Sequence, residues 1–170
     1  MTIVTRRTLI VPYTETFESD FLMLNCCAKN RAQMNGPKTV AAARQQFQRI
    51  LHDPHLHAMA VLDNYNREYM GHLYVEVDEQ SAELGFVFDK SYWGQGIANE
   101  ALQAFFPKIC QRLHLEKVMA RVNAQHAAAQ SILDKLGFVS IRTEDDIFGV
   151  FYEYQWHRQT ELSSFASYSL

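Results

Sequence analysis

The chain has 170 residues, of which 48% are hydrophobic and 21% charged, as in an ordinary globular protein. Its 16 lysines and arginines against 19 aspartates and glutamates give a net charge of −3, which argues against the basic surface of a duplex-DNA-binding protein. This length suffices for one hydrophobic core and is short for two, so we expect one domain over residues 1–158 and a loose, serine-rich tail at 159–170.

The compartment follows from what the sequence lacks. No apolar run approaches the ~20 residues that a membrane-spanning helix needs, and the N-terminus has no secretory signal pattern. The cysteines, Cys26, Cys27 and Cys110, are odd in number and two are neighbours, which favours free thiols in a reducing environment. We therefore expect a cytoplasmic protein that binds neither membranes nor DNA.

The first half of the chain predicts alternating strands and helices. β-Branched and apolar residues predict a strand at 6–12, and helical spacing predicts helices at 16–24 and 39–52. The intervening segment, 25–38, contains the turn signal Met34-Asn35-Gly36-Pro37 and is predicted as a loop. Two further strands, 57–62 and 68–77, follow around a polar turn.

The second half predicts a strand at 82–88, a helix at 97–113 and a strand at 117–123, which together suggest a parallel crossover. Pro107 is expected to kink this helix, because proline removes a backbone donor. A helix at 127–136 should end at Gly137. Closing strands are predicted at 138–143 and 148–156, with their aromatic residues in the core or packed between strands.

The segment between strand 82–88 and helix 97–113 reads Tyr92-Trp93-Gly94-Gln95-Gly96-Ile97-Ala98. Its glycines permit left-handed backbone angles and close approach of a ligand, and the helix start offers free N–H groups and a positive dipole end. This combination indicates a phosphate site, although a tight connection without a ligand remains an alternative. The spacing fits neither a Rossmann fingerprint nor a P-loop.

Two blocks together resemble the signature of the GNAT N-acetyltransferases. One is the glycine loop; the other is Val122-Asn123-Ala124-Gln125-His126 followed by a helix that ends in Leu-Gly-Phe. The loop is most similar to the branch that acetylates N-termini of ribosomal proteins, although Trp93 stands where the superfamily usually has Gln or Arg. The resemblance spans about residues 5–157. It implies an α/β (α+β) fold whose mixed, mostly antiparallel sheet has a central parallel pair splayed at the cofactor site and is flanked by helices.

The resemblance also implies acetyl-CoA as co-substrate, no metal, and a set of cofactor-binding residues. Val87 and Phe88 would bind the pantetheine arm through their backbone, and a nearby amide would face the thioester oxygen. Asn123 and His126 would contribute from the second block. The backbone amides of the loop and first helical turn would bind the pyrophosphate: Gly94, Gln95, Gly96, Ile97, Ala98 and Asn99.

Acetyl transfer needs a neutral amine, so a group must accept a proton. Glu83 is the first choice for this base and Glu76 the second, while the simpler interpretation of either is a solvated strand carboxylate. The superfamily's usual acid candidates are missing, since Leu133 replaces a Tyr and Ala129 a Ser. His126, water, or no acid at all remain as alternatives for protonating the leaving thiolate.

The acceptor site should come from the early helices and the loop 25–38. The expected acceptor is a protein or peptide N-terminus or a small amine, and a homodimer is expected by resemblance alone. A CoA-binding sensor without useful catalysis is the alternative, and a nucleotide-phosphate binder is a third. His52, His55 and His57 lack a fourth ligand for zinc, and Cys26 and Cys27 lack a catalytic His–Asp pair.

Overall fold

One eight-stranded sheet organises the described region, which is residues 1–159 of a computed structural model. Its strands are β1 Ile3–Val4, β2 Thr8–Pro12, β3 Leu56–Asp63, β4 Tyr69–Val77, β5 Ala82–Phe88, β6 Lys117–Asn123, β7 Val139–Asp146 and β8 Gly149–His157. The α-helices are α1 Glu18–Asn25, α2 Val40–His52, α3 Ile97–Leu113 and α4 Ala127–Leu136. The predicted tail lies outside the described residues from position 160 onward.

The strand order is β1-β2-β3-β4-β5-β6-β8-β7, and every neighbouring pair is antiparallel except β5 and β6. Strand β5 pairs with β4 over its whole length, yet it meets β6 only at Glu83 and Met119. The predicted parallel pair that splays apart is therefore confirmed.

The two faces of the sheet carry different helices. Side chains alternate along a strand, so Leu73 and Leu84 face one layer while Tyr74 faces the other. The first layer is the main core, where α3 and α4 bury residues such as Phe105 and Leu133. On the opposite face, α1 and α2 form a smaller cluster of Phe21, Ala43, Phe47, Ile50 and Leu56. Each large side chain removed from water in this way contributes about 1.5–3 kcal/mol.

Helix α3 continues through Pro107 without a break. Proline at this position leaves the carbonyl of Gln103 without its usual i+4 donor. Both residues are exposed, so water can satisfy that carbonyl. The predicted helix 97–113 is therefore confirmed as one helix, and the kink at Pro107 stays a prediction.

Several boundaries differ from the sequence prediction, among them the end of β7, which is Asp146 rather than Thr143. The first long strand begins at Thr8 rather than Arg6, and the short β1 precedes it. A 3₁₀ turn, Glu15–Phe17, replaces the predicted first turn of α1. Phe148 is 53% exposed, so the expectation that it packs in the core was wrong: it sits in the tight turn between β7 and β8. Among residues 1–159, no helix is long and apolar enough to cross a membrane.

Candidate active site

The divergence of β5 from β6 leaves backbone groups without sheet partners. The Asp89 amide donates to the Met70 carbonyl at 2.9 Å, and the alternation of an antiparallel ladder then directs Val87 and Gly85 toward β4 as well. The backbone groups of Phe86 and Phe88 consequently point toward the gap. An unpaired buried amide is costly, so this edge suits a ligand that supplies acceptors. The register favours Phe86 and Phe88 for that contact over the predicted Val87.

The loop before α3 has the geometry that its glycines allow. Gly94 and Gly96 both have φ of 75°, in the left-handed region, and an added Cβ at Gly94 would meet no atom within 4 Å. Gly96 caps α3, whose first turn begins with Ile97, Ala98 and Asn99. Their N–H groups have no earlier helical carbonyl to bond, and the helix dipole adds positive potential there. This helix start fits a pyrophosphate.

Arg7 and Glu100 stabilise this loop through hydrogen bonds, a role that the sequence did not indicate. The Arg7 guanidinium donates to the Gln95 carbonyl at 2.7 Å and to Glu100 Oε1 at 2.8 Å. Thr5 donates its hydroxyl to Glu100 Oε2 at 2.6 Å. The Gln95 side chain folds back onto the Ser91 carbonyl at 3.1 Å, so Gln95 supports the loop's shape from outside the groove. The N-terminal segment therefore fixes the angle at which α3 begins.

A groove of about 460 Å³ runs from this helix start along the edge of β5 to the start of α4. Trp93 donates its indole N–H to the Phe88 carbonyl at 2.9 Å and closes one end. The wall includes Phe86, Phe88, Gly94, Gly96, Ile97, Ala98, Asn99, His126 and Ala129. Apolar walls with polar backbone at one end suit a long ligand that has a phosphorylated end and a thin, less polar arm.

Two further spaces lie next to the groove. A cavity of about 50 Å³ lies in the gap between β5 and β6, and one of about 230 Å³ lies beyond it beneath α1, α2 and the loop 26–39. Gln33, Met34 and Phe86 line all three spaces. The gap is therefore the place where a ligand in the groove comes nearest to the cavity on the opposite face of the sheet.

Glu83 lies on the second side of this gap. Residue Glu83 as a whole is exposed, but the surrounding protein removes water from its carboxyl group. This desolvation raises the pKa of Glu83, and the nearby charge of Glu76 raises it further. The charge of Arg121 acts in the opposite direction. Glu76 is tied to Arg49 in an ion pair and does not line the cavity, so the geometry favours Glu83 over Glu76 as proton acceptor.

His126 caps α4 and faces both the groove and the gap. Its Nδ1 accepts a hydrogen bond from the Ala129 amide at 3.1 Å, so the proton of the neutral ring is on Nε2. Burial lowers the pKa of His126, which keeps the ring neutral near pH 7. A neutral imidazole is a good hydrogen-bond donor and a poor acid. Asn123 lines the gap, but its Oδ1 accepts from the Gln125 amide at 2.8 Å and shapes the turn before α4.

Tyr74 projects into the second cavity because Gly85 faces it. A Cβ at Gly85 would lie 2.2 Å from the Tyr74 ring, so only glycine lets the ring cross β5 at this point. Burial, with the charges of Glu83 and Glu76, raises the pKa of Tyr74 to about 12. The sequence gave no signal for this pair, since the two residues are eleven positions apart on different strands.

The other expectations concern peripheral groups. Within residues 1–159, no cluster of three His, Cys, Asp or Glu side chains is placed to hold a metal ion. Phe151 lines the second cavity, where the Arg121 guanidinium lies over its ring, 3.9 Å from the ring centre. Leu133 and Ala129 are buried beside the gap and bring no hydroxyl to it.

Comparison with known proteins gives one family and a shared fold. Solved structures similar to this chain include a spermidine N-acetyltransferase from Vibrio cholerae in complex with CoA and spermine, with a TM-score of 0.80, 14% identity and coverage of 93% of this chain and 99% of that one. An acetyltransferase from Salmonella typhimurium that modifies the N-terminal serine of ribosomal protein L7/L12 has a TM-score of 0.75 and 17% identity, covering 94% of this chain and 100% of its own.

The ribosomal-protein-S5-alanine acetyltransferase of Vibrio fischeri is similar at a TM-score of 0.71 and 13% identity, with coverage of 92% and 96%. At such identities the likeness concerns the fold. No curated protein sequence matches the chain significantly. The family model described as "Acetyltransferase (GNAT) domain" matches residues 7–139, most of the chain. The protein therefore belongs to the GNAT acetyltransferase family.

Proposed function

We propose that this protein transfers the acetyl group of acetyl-CoA to a primary amine by direct attack in a ternary complex. The observation that carries this proposal is that the groove, the gap between β5 and β6 and the cavity beside Glu83 are neighbours that share Gln33, Met34 and Phe86 in their walls. A thioester in the gap would be open to an amine from the other face of the sheet. Two substrates bound on opposite sides need no covalent acetyl-enzyme.

Residues of the groove would bind the co-substrate. Ile97, Ala98 and Asn99 would donate their amides to the pyrophosphate, and the backbone of Phe86 and Phe88 would bond the pantetheine arm. When bound, acetyl-CoA supplies an activated acyl carbon. An amide at the gap would stabilise the negative charge that develops on the thioester oxygen.

Glu83 would take the proton that the attacking amine must lose, directly or through one water molecule. The new bond joins the amine nitrogen to the acyl carbon while the carbon–sulfur bond breaks, and the electron pair leaves with the CoA sulfur. His126 would hold the arm through Nε2–H rather than act as the acid. The thiolate would leave unprotonated and gain its proton from water.

The proposed acceptors are a protein or peptide N-terminus or a small amine, in line with the ribosomal-protein and spermidine acetyltransferases that share the fold. A homodimer and a cytoplasmic location stay predictions. A CoA-binding sensor is the second candidate, favoured by one observation: Leu133 and Ala129 bring no hydroxyl to the gap.

Calorimetric titration with acetyl-CoA, CoA, ATP and NAD tests the cofactor, and thiol release with a library of amines tests the reaction. We expect micromolar binding of acetyl-CoA and CoA, far weaker binding of ATP and NAD, and turnover with at least one amine. Binding without turnover would support the sensor. A folded protein that does not bind acetyl-CoA would overturn both candidates.

A further inference from the structure

We propose that the acceptor carries, besides its amine, a negatively charged group that Arg31 and Lys38 bind. This inference rests on the proposed function and names the class of its second substrate. The reason is an imbalance of charge in the cavity beyond the gap, which we call the acceptor cavity; it is the space of about 230 Å³ lined by Arg31, Lys38, Tyr74 and Glu83 among others.

Three cations and one carboxylate line the acceptor cavity. Arg121 is neutralised by ion pairs with Glu144 and Asp146, at 3.2 and 2.6 Å. Arg31 and Lys38 form no ion pair with any carboxylate of residues 1–159. The two remaining positive charges therefore face a single Glu83 carboxylate.

Arg31 is held in place by neutral groups alone. It donates to the carbonyls of Gly36 and Met34, both at 2.8 Å, and to the Asn25 side chain at 3.2 Å. These bonds fix the guanidinium at the cavity wall without cancelling its charge. Burial lowers the pKa of Lys38, and the neighbouring charge of Arg31 lowers it further. An anion between these two groups would relieve both costs.

The sheet forms one wall of the acceptor cavity. Glu83, Gly85 and Val87 follow one another on the cavity side of β5, opposite Glu76, Tyr74 and His72 of β4. Gly85, in the middle of this row, also lines the gap, while Glu83 and His72 lie in the rows on either side of it. Alternate residues of a strand are about 7 Å apart, so the wall extends beyond the gap in both directions. The attacking amine and an anion bound by Arg31 and Lys38 can therefore occupy different parts of one cavity.

His72 supplies the second observation. It is 2% exposed, its Nδ1 is bonded to the Tyr13 hydroxyl at 2.8 Å, and its Nε2 is buried without a partner in the cavity wall. A buried polar atom without a partner is unfavourable by roughly 1–3 kcal/mol. When Tyr13 donates to Nδ1, Nε2 carries a proton and can donate to an anionic group. The Gln46 Oε1 is likewise buried without a partner at this cavity and can accept from the amine end.

Polycationic amines fit this site poorly. A polyamine places two or more positive charges within a few ångströms of one another and needs several carboxylates around it. The acceptor cavity offers one, and its wall also carries two cations, Arg31 and Lys38, that form no ion pair within residues 1–159 and would repel a polycation. Charge complementarity thus favours acidic amines, either small or at the start of a peptide.

The test compares acidic amines with their neutral isosteres on the intact protein saturated with CoA, which permits binding and prevents transfer. Glutamate α-amide and glutamine α-amide form the small-molecule pair, because neither has the α-carboxylate of the free amino acids. Tripeptide amides beginning Ala-Glu and Ala-Gln form the peptide pair. We expect the acidic member of at least one pair to bind at least tenfold more tightly in calorimetric titration. The responsive pair identifies the source as a small amine or an N-terminus.

Lys38→Met should reduce this preference to less than threefold. Lys29→Met is the matched control, because Lys29 lies on the same loop outside the cavity and should keep the wild-type preference. Arg31 is not substituted, since its bonds hold the loop. Equal binding of both members, no binding of either, tighter binding of spermidine, or a preference that survives in Lys38→Met would each overturn the inference. Acetylation of neutral amines with no acidic preference would do so while leaving the proposed transferase standing.

Discussion

At the scale of single residues, the site works through groups whose protonation is set by their surroundings. Glu83 is a carboxylate whose pKa is raised chiefly by desolvation, and His126 is an imidazole kept neutral by burial. The raised pKa makes the Glu83 carboxylate a better proton acceptor. The lowered pKa of His126 means that its ring has no acidic proton to give near pH 7. The same strand position would be an ordinary solvated carboxylate if no helices and loop covered that face.

Glu83→Gln should lower kcat by about 10²–10⁴-fold with little effect on CoA affinity, since general base catalysis contributes that much. The raised pKa means that the rate should increase with pH through a limb above the usual carboxyl range, and the variant should lose this limb. Glu79→Gln, on the exposed turn between β4 and β5, is the control. A pH–rate profile identical to that of the wild type would exclude Glu83 as the base.

Gly96→Val tests the pyrophosphate site. The branched side chain would occupy the space before the first amides of α3, so CoA affinity should fall at least tenfold, or about 1.4 kcal/mol. Strain at positive φ also destabilises the fold, so Gly149→Val is the matched control: Gly149 has φ of 119° and is the first residue of β8, away from the groove. Equal CoA affinity of the two variants in calorimetry would separate the loop from the cofactor.

At the scale of elements, β5 and α3 carry the site between them. Strand β5 contributes to the site in three ways. One edge pairs with β4, the backbone of the other edge is open toward the gap, and the face that carries Glu83 lines the acceptor cavity. Helix α3 points its first turn at the groove and buries Phe105 and Phe106 behind it. The rigidity of α3 therefore determines how accurately its first amides are placed.

Pro107→Ala should stabilise the protein. Position 107 is exposed in the middle of α3, and alanine would restore the missing bond to Gln103, so we expect the free energy of unfolding to increase by about 1–3 kcal/mol. Urea denaturation measures this, with Lys108→Ala, the exposed neighbour, as control. An unchanged or smaller free energy of unfolding would mean that the surroundings of α3 prefer the proline geometry.

At the scale of the whole molecule, buried histidine links stability to pH. Burial, together with the charges of Arg31 and Lys38, lowers the pKa of His72 to about 3 from 6.5. Below pH 6.5 His72 takes up a proton in the unfolded chain but not in the folded protein. The contribution of His72 to the free energy of unfolding is therefore complete above pH 6.5 and is lost as the pH falls below it. The pKa values of His57 and His126 are also lowered by burial and act in the same direction, while that of Glu83 is raised and opposes them.

We therefore expect the free energy of unfolding to be lower at pH 5.5 than at pH 7.5 by about 1–2 kcal/mol. This is close to the largest change that a single histidine can cause between these two pH values, because it binds at most one more proton in the unfolded chain. Urea denaturation at both values measures the difference. His72→Gln removes the titrating group and should reduce the difference. If the two proteins lose the same stability between these values, His72 is not the group responsible.

The sequence by itself determined the helices and long strands of this protein, and it predicted where a cofactor would bind. Local signals suffice there, because Gly94 and Gly96, the helix start at Ile97 and the apolar spacing of α3 act within a few residues of one another. The resemblance to the GNAT family added the splayed parallel pair, which the register of β5 with β6 confirms. The start of β2 was predicted two residues too early, at Arg6. The strand begins at Thr8 because Thr8 pairs with Asp63, the last residue of β3, and local propensity does not indicate this limit.

Only the tertiary structure decided what surrounds the acceptor. Gly85 and Tyr74 meet because β4 and β5 are in register, and Arg31, Lys38 and His72 share a cavity because the loop 26–39 folds over that strand pair. Arg7 donates to the Gln95 carbonyl although the two residues are 88 positions apart in the chain. Such contacts depend on residues far apart in the chain, and local chemistry carries no information about which of them will meet. The charges that line the acceptor cavity are for this reason a property of the fold, while the glycine loop and the helix start after it can be predicted from the sequence.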